Sequence, residues 1–93
     1  MKIDPLIKMA NQISDFFAGE GTPEEAPKLV AVHIRRYWEQ RMRREIYAYV
    51  ERDGEGLDDV ALAAIRLLAV QEAQEAAGTQ SAPPAGTSIQ DAG

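Results

Sequence analysis

The sequence has no cysteine and a single histidine, His33. Without thiols there is no disulfide framework, no thiolate nucleophile and no sulfur ligand for zinc or an iron-sulfur cluster, and one imidazole cannot build a metal site alone. The absence of cysteine fits a reducing compartment, so the cytoplasm is the expected location. No run approaches the roughly 18 consecutive apolar residues needed to span a bilayer. The opening segment Met1-Lys2-Ile3-Asp4-Pro5 has neither the apolar stretch nor the small-residue cleavage site of a secretory signal. Positive charge is also scarce: the net charge is −5, which argues against general affinity for nucleic acid or anionic lipid. Phosphate-binding and catalytic motifs are missing as well. Gly54-Glu55-Gly56 lacks the further glycine and the preceding strand of a phosphate loop, and the paired carboxylates Glu24-Glu25 and Asp58-Asp59 sit where helix starts explain them. No independent enzymatic activity is expected.

What is there reads as helix. The 93 residues suit one small domain, and a core of that size buries only about 60% of the unfolded surface, so a partner could add stability. Asp4-Pro5 is a helix start, after which Leu6, Met9, Ile13, Phe16 and Phe17 recur at three- and four-residue steps. Gly19 and Gly21 end that helix, and Thr22-Pro23-Glu24-Glu25 resembles a capping box. From Pro27, the positions Leu29, Val30, His33 or Ile34, Tyr37 and Trp38 keep the helical period, and Met42, Ile46, Tyr49 and Val50 continue it. One bent helix or two abutting ones would serve. Asp53-Gly54-Glu55-Gly56 is a turn, and Asp58 or Asp59 caps a last helix with Val60, Ala61, Ala64, Ile65 and Leu68 inward, fraying near Gly78. The expectation is an all-α bundle of three to four helices over residues 1–78. Residues 79–93, rich in Ser, Pro, Gly, Thr and Ala, are expected to form a disordered tail.

Half of the ten basic residues, Arg35, Arg36, Arg41, Arg43 and Arg44, crowd around Tyr37 and Trp38. Guanidinium groups grip carboxylates or phosphates bidentately and stack on aromatic rings, so the cluster suits an acidic protein surface, a phosphate-bearing cofactor or nucleic acid. It suits a solvated helix face equally, with Glu39, Glu45 and Glu51 as local ion-pair partners. Trp38 fits either the core or a partner contact. His33 reads as a packed or capping histidine, and the amides of Asn11 and Gln12 could reach another backbone, a cofactor edge or solvent.

Three segments taken together resemble one family. Met9-Ala10-Asn11-Gln12-Ile13 is followed by Phe16-Phe17; then comes Ile34-Arg35-Arg36-Tyr37-Trp38-Glu39-Gln40-Arg41-Met42-Arg43; last is Gly56-Leu57 with Val60 and Ala63-Ala64-Ile65. In order, spacing and size this is similar to the delta subunit of soluble, NAD-dependent formate dehydrogenases containing molybdenum or tungsten. The second segment is the specific one. It departs from the family at Gln40, where the family usually carries proline, a change that predicts a milder break between the helices on either side.

The resemblance implies a cytoplasmic complex that oxidises formate to carbon dioxide and passes the electrons to NAD. It implies that the catalytic alpha subunit holds bis-molybdopterin guanine dinucleotide with molybdenum or tungsten and iron-sulfur clusters, and that FMN and the NAD site lie in another of its subunits. The delta subunit would hold no cofactor. It would bind the alpha subunit, and through it the beta and gamma subunits, either stabilising the enzyme or supporting cofactor insertion. On this reading Asn11, Gln12, Arg35, Arg36, Trp38, Arg41, Met42 and Arg43 form the partner interface. The alternative is a small helical regulator that binds nucleic acid through the stripe from Arg35 to Arg44.

Overall fold

A computed structural model of the chain describes residues 3–81, with side chains as far as Ala77. The described residues form four helices and no strand: α1 Ile3–Ala18, α2 Ala26–Tyr37, α3 Gln40–Arg52 and α4 Asp59–Ser81. The tail expected over 79–93 falls almost wholly outside them. The last helix continues past Gly78, where fraying was expected, to Ser81.

Each helix buries one line of side chains. In α1 the buried line is Leu6, Ala10 and Ser14, a strict four-residue step that lets neighbouring helices approach closely at the two small positions. This corrects the expected inner stripe, since Met9 and Phe16 face outward while Ile13 and Phe17 are only half-buried. Val30 and Ile34 form the line of α2, with Trp38 continuing it just past the helix end, Ile46 and Val50 that of α3, and Ala61, Ala64, Ile65 and Leu68 that of α4. These lines meet in one core, with α4 packing most extensively against α2. Trp38 is 5% exposed and belongs to that core.

The connections follow local chemistry. Gly21, with φ +68°, carries the chain out of α1. Half of the expected capping box forms, as the Thr22 amide donates to the Glu25 carboxylate at 3.0 Å. Between α2 and α3 the break is sharper than Gln40 suggested. Trp38 and Glu39 are both extended, with ψ 139° and 154°, and Gln40 occupies the first position of α3. That position tolerates proline because its amide has no partner within the helix, so glutamine fills it without joining the two helices.

The turn before α4 is held from outside. Asn11 of α1 donates to the Gly56 carbonyl at 2.8 Å and accepts from the Asp58 amide at 2.9 Å. One Asp58 carboxylate oxygen accepts from the Ala61 amide, capping α4, and from the buried Ser14 hydroxyl, each at 2.8 Å. The α1 helix therefore clasps the start of α4 through two polar side chains. No described helix is long and apolar enough to cross a membrane.

Candidate partner-binding face

The arginine cluster divides in two because α2 and α3 both pack beside α4. Arg43, with a side chain only 12% exposed, places Nε and Nη2 on the two oxygens of Glu72 at 3.1 and 2.8 Å, and its Nη1 donates to the Trp38 carbonyl at 2.8 Å. Tyr47 donates its hydroxyl to the same carboxylate. Arg35 adds a contact to Glu72 at 3.4 Å and donates to Glu75 at 2.8 Å. Burial alone would raise the Glu72 carboxyl, but hydrogen bonds from Arg43 and Tyr47 and the two guanidinium charges outweigh it and hold the carboxyl below its ordinary range. Burial and the bond to Glu72 push the Tyr47 phenol well above the usual tyrosine range.

The acidic partners of Arg35 and Arg43 therefore come from α4, and the nearby Glu39, Glu45 and Glu51 hold neither of them. Arg36, Arg41 and Arg44 point to solvent and form no ion pair with another described residue.

On the other side of α2 an open groove of about 400 Å³ runs along α1. From α1 it is lined by Met9, Gln12, Ile13, Phe16 and Phe17. His33 and Tyr37 of α2 face them, and Trp38 and Met42 close the end nearest α3. Phe16 stands edge-on to Phe17 with ring centres 5.0 Å apart, Phe17 is 5.9 Å from His33, and His33 is 4.7 Å from Tyr37. Phe16 is 70% and Tyr37 67% exposed. A row of ring contacts with its end rings left this open to water is uncommon on a small chain, and aromatic residues are enriched where proteins bind one another.

Of the expected interface residues, the groove gathers Gln12, Trp38 and Met42. Asn11 is occupied by the clasp on α4, Arg35 and Arg43 lie on the α4 side, and Arg36 and Arg41 are exposed. Reading the sequence for charge passed over Met9, Phe16, Phe17 and Tyr37. The signal was present: Leu29, His33 and Tyr37 run parallel, one residue behind, to the core line Val30, Ile34 and Trp38. Two adjacent apolar lines are more than one packed neighbour covers.

The described residues contain no group of three or more His, Cys, Asp or Glu side chains placed to hold a metal ion. Compared with known proteins, residues 5–65, about two thirds of the chain, match the family of the NADH-dependent formate dehydrogenase delta subunit FdsD. The chain belongs to this family. No curated protein and no solved structure matches it. The stretch matched to the delta-subunit family runs from Pro5 to Ile65, so it takes in all nine groove residues, whereas Glu72 and Glu75 lie beyond it.

Proposed function

We propose that this chain is a non-catalytic accessory subunit of a cytoplasmic, NAD-dependent formate dehydrogenase, and that it binds the catalytic subunit to stabilise it or to support insertion of its cofactor. The observation that carries the reading is the open aromatic groove on a chain of the delta-subunit family. Burying exposed aromatic surface against a larger protein is the strongest favourable term such a small helical chain can offer. The molybdenum or tungsten pterin cofactor, iron-sulfur clusters, FMN and NAD belong on this reading to the other subunits. The part of the chain is to hold a surface of the catalytic subunit in one arrangement, since anything that binds only the folded state shifts the balance toward it.

The test is to produce the catalytic subunit with and without this chain and to measure its metal and pterin content and the half-life of formate-dependent NAD reduction on mild heating. A stabiliser lengthens the half-life at unchanged metal content. An insertion factor raises the metal content itself. Equal values for both quantities would refute the proposal.

A further inference from the structure

We infer that the ion cluster around Glu72 is a clip that sets the length of α4. Closed, it holds the segment from Ala69 to Ala77 against α2 and α3; open, it lets that segment unwind and frees Arg35 and Arg43. Burial divides α4 in two. Ala61, Ala64, Ile65 and Leu68 carry the first half into the core. Beyond Leu68 no described side chain is buried, only Ala69 and Glu72 are half-buried, and Val70 is 54% exposed. The second half therefore gains little from the hydrophobic effect.

Charge takes its place. From Ala69 to Ala77 the chain carries Glu72 and Glu75 and no cation. Between this segment and the helices α2 and α3 lies an open cleft of about 490 Å³, whose facing side is lined by Arg35, Arg43 and Arg44. The segment offers the cleft Ala69, Ala73 and Ala76, whose methyl groups fill little of it. Glu72 bridges the gap, receiving three hydrogen bonds from Arg43 and Tyr47. Arg35 reaches both Glu72 and Glu75.

Alanine, glutamine and glutamate are good helix formers, but a helix end of this length with no packed face is marginal in water. Losing the clip therefore returns the segment to coil as far back as Leu68, the last residue that the core holds. Opening has a chemical consequence. Glu72 and Glu75 occupy two guanidiniums that α2 and α3 would otherwise present beside the exposed Arg36, Arg41 and Arg44. An acidic surface that takes Arg35 and Arg43 must displace these carboxylates first, so the clip is an internal competitor for the arginine face.

The experiment follows Cα chemical shifts, which report helix residue by residue, in the full chain and in E72K, which sets a cation against Arg35 and Arg43. E72K should lose helical shifts from Val70 to Ala77 and keep them from Asp59 to Leu68, while Trp38, the single tryptophan and a core residue, keeps the emission of a buried ring. Labelling of Arg43 by phenylglyoxal, read by mass spectrometry against the exposed Arg41, should rise at least about 10-fold, the shift in equilibrium that one lost hydrogen bond to a charged group brings. In the unsubstituted chain, amides from Val70 to Glu75 should exchange through one shared opening, faster than the amides from Leu62 to Leu68. Helical shifts kept through Ala77 in E72K, or unchanged labelling of Arg43, would overturn the inference. So would loss of helix along the whole chain with Trp38 emission moved to the red, which would make α4 one unit with the core. Protection that declines evenly from Leu62 to Glu75 would overturn it too, since ordinary fraying would then account for the end of α4.

Discussion

Replacing Glu72 with alanine should be the costliest single change to a charged residue in this chain. The substitution takes both carboxylate acceptors from the Arg43 guanidinium, 12% exposed, leaving it the Trp38 carbonyl, and takes the acceptor from the Tyr47 hydroxyl. Removing one partner of a fully buried ion pair costs about 3–5 kcal/mol. Because the Glu72 side chain is 21% exposed, water can partly replace it, which lowers the expected cost to about 2–3 kcal/mol. Arg35, which pairs with Glu75 at 42% and 59% exposure and touches Glu72 only at 3.4 Å, supplies the internal control, for exposed pairs contribute little. With a urea slope of about 1 kcal/mol per molar for a small domain, E72A should move the unfolding midpoint about 2–3 M lower, and R35A much less. Helix content followed by circular dichroism reads both. Equal shifts in the two variants would refute the claim that burial, rather than the count of charges, sets the value of these contacts.

The pH dependence follows from the same carboxylate. Glu72 is held below its ordinary range when folded, so its contribution is complete above the unfolded value near about 4.3 and is lost as pH falls through the lower folded value. The stability gap between wild type and E72A should therefore narrow on acidification below about pH 4, and a gap unchanged by acid would contradict the pairing. N11A removes both Asn11 bonds to the turn before α4, leaving the Ser14–Asp58 bond, and should cost about 1–3 kcal/mol by urea unfolding although alanine favours the helix; no loss would show that the Asn11 half of the clasp is idle. G54A places a side chain at φ +78° with its Cβ 3.0 Å from a Leu62 methyl, and should cost about 1–2 kcal/mol or more. A neutral G54A would mean that the turn adapts.

The helices were legible because their signals are local. Asp58 before an apolar run, Gly19 and Gly21 after one, and Asp53-Gly54-Glu55-Gly56 between two each act through the nearest few residues. The division of labour among the arginines was not. Arg43 finds its acid 29 positions away in Glu72, while Glu39 and Glu45 lie closer in sequence and hold neither it nor Arg35. Only the packing of α3 on α4 decides between them. The groove escaped for a related reason. Spacing marks Phe16 and Tyr37 as apolar positions at helical intervals, but it does not say which of two adjacent lines a neighbouring helix will cover. In α1 the small Ala10 and Ser14 won the inner place, because they allow α1 to approach the rest of the bundle, and the larger Met9 and Phe16 were left outside.

The central claim is that the chain works as part of a formate dehydrogenase. The direct test is gentle purification of the tagged chain from its native host, followed by size exclusion with formate-dependent NAD reduction and subunit composition measured across the column. The predicted result is activity co-eluting with the chain and the catalytic subunit in fixed proportion. A chain that elutes alone, with the activity in a separate fraction, would contradict it.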